Sequence, residues 1–218
     1  MRNIRRKVKH GRLSALSALL ACAFLLLTSC SRTQPVRYYQ LAAQEVNPTI
    51  LPGSKVTQTD QIVLGIGPVQ IPDYLDRPQL VTRLTPNQLH LADSHRWAEP
   101  LSKNIPRVLG ENLSVLLGTD RILLHPWPSS SLTDYQLLVE VIRFENERNE
   151  SARLIVRWSI KDADDTILLP EKRSSHRIVT VAQNQEELVV ALNKALGSFC
   201  REVAQALTPL LTKPSTKS

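Results

Sequence analysis

Among the residues of this 218-residue chain whose types could do chemistry, the thiol of Cys30 has the most informative setting. It follows Leu13–Leu27, a 15-residue run of Leu, Ala, Ser, Cys and Phe, and two small residues, Thr28 and Ser29. The first twelve residues carry six basic side chains and no acidic one. A basic start, a short apolar run and small residues at its end are typical of a secretory signal peptide. A cysteine thiolate is a nucleophile that can accept a diacylglyceryl group.

The stretch Leu27-Thr28-Ser29-Cys30 resembles the lipobox of bacterial lipoproteins. We therefore predict a lipoprotein signal peptide over residues 1–29, lipidation of Cys30, and a lipidated tether over residues 30–36. An ordinary cleaved signal and an uncleaved anchor helix stay open. The uncharged span from Leu13 to Ser31 is 19 residues long, and a membrane helix needs roughly 20. Because residue 31 is Ser and not the inner-membrane retention residue Asp, Ser31 favours sorting to the outer membrane.

Three further motifs have residue types that could bind nucleotides or metals. The stretch Gly65-Ile66-Gly67 lacks the third glycine of a dinucleotide fingerprint, so we interpret it as a strand irregularity. The acidic stretch Asp162–Asp165 lacks the glycine and the final glutamate of a calcium loop, so we predict a hairpin turn. His90, Asp93 and His95 have no matching partner cluster. The sequence therefore predicts no metal, no cofactor beyond the covalent lipid on the cysteine, and no enzymatic activity.

The net charge of +7 overstates how basic the mature chain is. Six of the 27 basic residues precede Cys30 but none of the 20 acidic ones do, so the chain from Cys30 onward carries 21 basic and 20 acidic residues. Nucleic-acid binding therefore has little electrostatic support. The remaining length is enough for one domain with a real core. Cys200 has no partner for an internal disulfide there, and we predict a buried small side chain on a helix.

The hydrophobic pattern predicts a single compact α/β (α+β) domain over residues 37–209, with a polar tail over residues 210–218. About seven strands form a mixed sheet with two main helices packed on it. One hairpin is expected around Thr85-Pro86-Asn87 and another around residues 146–150. Thr166–Leu169 and His176–Val181 are expected as two separate short strands.

Helical spacing predicts a first helix from Pro100 to Leu117. Pro106 lies inside it, so the helix either begins near Ile105 or kinks. Asn184 is expected to cap the second helix, with Glu187 three residues later as in a capping box. Pro209 is expected to end this helix. Its predicted core-facing stripe is Leu188, Leu192, Ala195, Leu196, Phe199, Val203 and Leu207.

Two blocks combine aromatic, basic and acidic residues in predicted loops. They are Ile71–Arg83 (IPDYLDRPQLVTR) and Arg96–Leu101 (RWAEPL). Together with the lipobox and Tyr39-Gln40-Leu41, they resemble the ABC-type transport auxiliary lipoproteins of the PqiC type, which are membrane integrity-associated transporter subunits. The resemblance runs over about residues 36–207. It is weak over residues 47–60 and 126–134.

The resemblance implies a non-catalytic lipoprotein at the periplasmic face of the outer membrane, with acyl chains such as palmitate as its anchor. It implies two protein partners, an MCE-domain protein and an integral membrane transporter subunit. Together they would carry out intermembrane lipid transport and support envelope integrity. A homo-oligomer is a further expectation, and nucleic acid is not. Two alternatives stay open: a lipoprotein regulator of a cell-wall synthase, and a lipid carrier with its own pocket.

We hypothesise that the two loop blocks contact a partner, since aromatic residues and arginine are favoured at interfaces. Charge reversal at Arg77 or Arg83 should then weaken partner binding and leave the domain folded. The alternative is that the blocks only hold the fold, by ion pairs, helix capping and core packing. The candidate contact residues are Tyr74, Asp76, Arg77, Arg83, Arg96, Trp97 and Glu99.

Overall fold

Eight strands and two helices follow one another in the described part of the chain. The computed structural model describes residues 34–44, 62–128, 133–148, 150–180 and 184–211. The predicted lipidation residue Cys30 and sorting residue Ser31 lie outside these ranges. The elements are β1 Arg37–Tyr39, β2 Leu64–Gln70, β3 Gln79–Thr85, β4 Gln88–Trp97, α1 Leu101–Leu117, β5 Ile122–Leu124, β6 Tyr135–Glu147, β7 Ser151–Asp162, β8 Ile167–Val179 and α2 Gln185–Leu211.

Strand β6 joins all parts of the mixed sheet. One of its edges pairs antiparallel with β7, which pairs antiparallel with β8. Its other edge is shared by two parallel neighbours. Strand β2 pairs with the first part, from Tyr135 to Glu140, and continues to β5. Strand β3 pairs at the far end, at Asn146 and Glu147, and continues through β4 to β1.

The two helices pack on each other and on the sheet. Helix α1 contacts β2 and β5, whereas α2 contacts β6, β7 and β8. The predicted stripe of α2 is confirmed, because all of its members are buried. Phe199 of this stripe meets Trp158 of β7 edge-on, with ring centroids 5.8 Å apart. The predicted fold class is therefore confirmed: two helices packed on one mixed sheet.

Two predicted boundaries differ from the structure, and each involves proline. Strand β8 is one strand of 13 residues and not two short ones. Its Pro170 is tolerated because a proline lacks only an N–H, which an edge strand can turn away from its neighbour. The predicted extent of helix α1 is confirmed, because the helix runs from Leu101 to Leu117 and contains Pro106. Helix α2 continues past Pro209 to Leu211.

A carboxylate on α2 fixes the helix to the edge strand. Glu202 accepts hydrogen bonds from Lys172 Nζ at 2.7 Å and Ser174 Oγ at 2.9 Å, and lies 3.1 Å from His176 Nε2. Partial burial opposes ionisation, but the bonds from Lys172 and Ser174 dominate and lower the pKa of Glu202. The cluster thus holds α2 and β8 together through an ionised side chain.

We predict that this contact contributes to acid sensitivity. Because the folded pKa of Glu202 is lowered, its stabilising effect is present above the unfolded value of about 4.3 and is lost as pH falls through the folded pKa. The unfolding free energy of wild type should exceed that of Glu202→Gln at neutral pH, and the difference should shrink in acid. Urea titrations across pH measure this. Glu171→Gln is the control, because Glu171 lies on β8 and its side chain is 69% exposed. A difference that is constant with pH would contradict the assignment.

Candidate functional site

Asp76 of the first block caps helix α1 from a distance in sequence. Its Oδ1 accepts a hydrogen bond from the backbone N–H of Ser102 at 3.1 Å. Pro100, which precedes the helix, offers no side-chain cap. A carboxylate at a helix N-terminus satisfies a free N–H and interacts favourably with the helix dipole. Asp76 therefore positions the start of α1.

Glu99 of the second block connects Gln40, the residue after β1, to helix α1. Its Oε1 accepts hydrogen bonds from Arg107 Nη2 at 2.6 Å and Gln40 Nε2 at 2.9 Å. The bond from Arg107, and then that from Gln40, lower the pKa of Glu99. Arg107 also pairs with Glu111 one turn further along the helix at 2.9 Å. Glu99 thus already has two partners within the domain.

Trp97 lies in the core and not at the surface. Its side chain is 5% exposed, and its ring stacks on that of Phe144 at a centroid distance of 6.5 Å. Its backbone N–H donates to the carbonyl of Pro78 at 2.6 Å, which joins the second block to the first. Trp97 therefore supports the two blocks from inside.

Arg83 and Tyr74 surround a buried carboxylate on β6. Glu145 is 0% exposed and accepts from Arg83 Nε and, at 3.3 Å, from Arg83 Nη2. The Arg83 guanidinium also lies 5.7 Å from the centroid of the Tyr74 ring. Burial, and then the Glu145 charge, raise the pKa of Tyr74 to about 12, so its hydroxyl remains a donor, here to the Ile142 carbonyl at 3.2 Å. This group is part of the fold, not a free surface.

Arg77 and Arg96 are different, because their guanidinium groups are not fully used. Each side chain is partly buried, and in each the Nε is buried without a hydrogen-bond partner among the described residues. Arg96 lies in register beside Tyr38 of β1, which is 65% exposed. Of the candidate contact residues, these two retain the most capacity to bind an incoming group.

The motifs considered for catalysis or metal binding take structural roles. Gly67 has φ +112°, and a Cβ there would lie 2.8 Å from that of His125, which confirms the strand irregularity. Asp162 Oδ1 accepts from the N–H groups of Asp164 and Thr166, each at 2.9 Å, which confirms the turn. His95 bonds the Tyr39 hydroxyl at 2.8 Å. Within the described ranges no group of three His, Cys, Asp or Glu could hold a metal.

Ser174 and Cys200, two potential nucleophiles among the described residues, are not activated. Ser174 and His176 both bond Glu202 and do not bond each other, whereas nucleophilic catalysis needs the base to contact the nucleophile directly. Cys200 is fully buried, as predicted, and burial raises the pKa of its thiol to about 12. A neutral buried thiol is a poor nucleophile.

A surface that the sequence interpretation missed lies on the side of β6–β8 that faces away from α2. We call it the outer arginine face: Arg143, Arg153, Arg157, Arg173 and Arg177. Alternation along β7 indicated that Arg153 and Arg157 share a face. The sequence prediction divided β8 into two short strands and left residues 170–175 outside them. It therefore did not place Arg173 and Arg177 opposite the arginines of β7, as the continuous strand does.

No helix within the described residues is long and apolar enough to cross a membrane.

We predict that Arg83 is required for the stability of the domain, and its contact with a partner stays a prediction. Arg83→Ala leaves the buried Glu145 carboxylate without its main partner, at an expected cost of about 3–5 kcal/mol in unfolding free energy. Arg107→Ala, which breaks only partly exposed pairs, should cost about 0–1 kcal/mol. Denaturant titrations measure both. Equal small losses would show that the buried pair does not hold the fold.

Comparisons with known proteins agree with this fold. A crystal structure titled only as an uncharacterized protein superposes with a TM-score of 0.65 at 19% identity, covering 80% of this chain and 100% of its own. The protein XCC0632 from Xanthomonas campestris, of the DUF330 family model, gives a TM-score of 0.63 at 15% identity, covering 80% and 96%. At these identities the likeness concerns the fold alone. No curated protein matches the chain.

A family model described as "ABC-type transport auxiliary lipoprotein component" matches residues 39–204. The match includes both loop blocks, the whole sheet from the last residue of β1 onward, α1 and most of α2. It confirms the resemblance inferred from the blocks. Membership indicates an accessory lipoprotein of a transport system, anchored to a membrane of the cell envelope. This chain belongs to the family of ABC-type transport auxiliary lipoprotein components.

Proposed function

We propose that this protein is a non-catalytic docking subunit of an MCE-type intermembrane lipid transport system, anchored by lipid on Cys30 at the periplasmic face of the outer membrane. The observation that carries the proposal is the family match over residues 39–204. The lipobox supplies the anchor, and Ser31 supports the choice of the outer membrane.

The mechanism is positional. Acyl chains on Cys30 hold the domain at the membrane, since each buried CH₂ contributes about 0.8 kcal/mol and more than one chain makes anchoring stable. The domain then presents a fixed surface to the MCE-domain protein and the integral membrane subunit. This role requires no chemical reaction at any of the described residues.

We assign the docking contacts of the two blocks to Arg77 and Arg96, with the exposed ring of Tyr38 beside Arg96. Both arginines are partly exposed, and neither makes a side-chain hydrogen bond or ion pair with another described residue, so their terminal nitrogen atoms are available to a partner. Carboxylates are the natural complement, because arginine binds them with two parallel hydrogen bonds. The remaining block residues position these contacts through their bonds and packing within the domain: Tyr74, Asp76, Arg83, Trp97 and Glu99.

The anchor is tested by mass and by fractionation. Intact mass of the wild type should show acyl chains on Cys30, and Cys30→Ser should remove them and release the protein from membranes or leave it unprocessed. Ser31→Asp should move the protein toward the inner membrane in a density gradient. A wild type without acyl chains contradicts the anchor, and an unchanged gradient position contradicts the sorting argument.

Docking is tested by co-purification from detergent-solubilised membranes. Arg77→Glu should melt close to the wild-type temperature but recover less of the MCE-domain protein, because a reversed charge repels the partner's carboxylates. Lys194→Glu, on the exposed side of α2, is the matched control and should change neither value. Recovery of a cell-wall synthase instead of transport subunits, or lipid bound to the domain in native mass spectrometry, would favour the corresponding alternative function.

A further inference from the structure

The pairing of β7 with β8 sets like charges against each other. Arg153 is opposite Arg177, and Arg157 is opposite Arg173. Both pairs lie on the outer arginine face, separated by the pair Ile155 and Ser175. Like charges directly opposite each other on neighbouring strands are destabilising. The sheet therefore carries two unfavourable pairs four residues apart on one face.

Nearby glutamates compensate these charges only in part. Glu147 is shared by Arg143 at 3.4 Å, Arg153 at 3.3 Å and Arg177 at 3.8 Å. Arg157 lies 3.1 Å from Glu140 and 3.9 Å from Glu171. Arg173 is exposed and has no ion pair among the described residues. Positive charge thus remains in excess along this face.

Strand β8 is also an open edge. Within the described part of the chain it pairs with β7 alone, over a length of 13 residues. Its two ends expose apolar side chains, Ile167 at 60% and Val179 at 70%. An unpaired edge offers backbone N–H and C=O groups to any segment that can add as a strand.

Protection against aggregation does not fully explain these arginines. Pro170 and the charges on β8 are devices that proteins use to blunt an edge strand. Edge protection needs charge on the edge strand only. Here the second arginine of each pair lies on β7, an interior strand, where it faces a glutamate of β6 (Arg153 opposite Glu145, Arg157 opposite Glu140) and repels the arginine of β8 without shielding the edge. An anionic occupant would remove that repulsion.

We propose that β8 binds an extended acidic segment of a protein partner, which adds to the sheet as a further strand. Arg173 and Arg177 are four residues apart, about 13 Å along a strand. The segment would therefore place acidic side chains four residues apart beside these two arginines, and apolar side chains near Ile167 and Val179. The inference rests on the proposed docking function and names the surface and chemistry of one contact.

A second copy of this chain fits the edge less well. An antiparallel pairing of two β8 strands centred on Ser175 would place Arg173 of one copy against Arg177 of the other. This arrangement would add two further unfavourable arginine pairs at the new interface. The charge on the edge therefore selects for an acidic strand of different sequence.

The test places a photo-crosslinking p-benzoylphenylalanine at position 175 of the full chain in cells. We expect an adduct with a protein segment that carries acidic residues four apart, as mapped by mass spectrometry. Combined Arg173→Glu and Arg177→Glu should lower the yield about tenfold, since charge complementarity governs such encounters. Lys194→Glu should leave it unchanged. Lysines at the two acidic partner positions should then restore the yield with the reversed arginines.

Four outcomes would overturn the inference: an adduct with lipid, an adduct with another copy of this chain, no adduct, or a yield insensitive to charge reversal. Arg173→Gln with Arg177→Gln provides a second variant with milder chemistry, and melting temperatures confirm that each variant is folded. Failure here is distinguishable from failure of the docking function. If the MCE-domain protein co-purifies but gives no adduct at position 175, the function stands and this surface is wrong. If nothing co-purifies, the docking function fails.

Discussion

The ion pair between Arg83 and Glu145 holds together the two halves of the sheet. Strand β3, which carries β4 and β1 with it, meets β6 in only two register pairs, at Asn146 and Glu147. The pair lies beside this short junction, with Glu145 fully buried. A buried ion pair contributes little net stability, but removing one member leaves a charge that the interior cannot solvate. Register at the junction is therefore strongly constrained, and so is the position of everything attached to β3 and β4.

The loop blocks depend on that constraint. The first block leads into β3, and the second block follows directly from β4. Trp97 stacks on Phe144, one residue before Glu145, so the same short stretch of β6 supports the blocks by both packing and charge. Most of the polar and aromatic residues in the blocks are used in this support. Among the buried side-chain nitrogen atoms of the described blocks, Arg77 Nε and Arg96 Nε lack a hydrogen-bond partner.

Local signals in the sequence were enough for much of the fold. The turn residues around Pro86, the alternation along β7 and the cap at Asn184 each indicated an element that the structure contains. Asn184 Oδ1 accepts from the N–H of Glu187 at 2.8 Å, as a capping residue should. The long strand β8 was harder, because Pro170 and a polar stretch interrupt its pattern. An edge strand tolerates both, and whether a strand lies at an edge depends on residues far away in sequence.

The sequence predicted where the candidate site lies, but not which of its residues support the fold and which are available to a partner. Arginine, aspartate and tryptophan in loops are equally typical of interfaces and of internal ties, and only their neighbours decide between the two. Arg83 and Arg77 are six residues apart in the same block, yet the first meets a buried glutamate from a distant strand. Cross-strand like-charge pairs are likewise invisible until the register is known, because a shift of one residue would place them on opposite faces.

The cap of helix α1 could come from either block: Asp76 of the first block supplies it here, and residue 100 of the second block is the usual place for a capping side chain. Helix α1 has no side-chain cap of its own because residue 100 is a proline, so the carboxylate comes from Asp76, 26 residues before the Ser102 N–H that it binds. A relative with aspartate or serine at the position of Pro100 would no longer need an acid at the position of Asp76. The residues at positions 76 and 100 should therefore change together among relatives, although the two positions are far apart in sequence. If a capping residue at position 100 replaced the one at position 76, helix α1 would keep its cap. The first loop could then change in sequence.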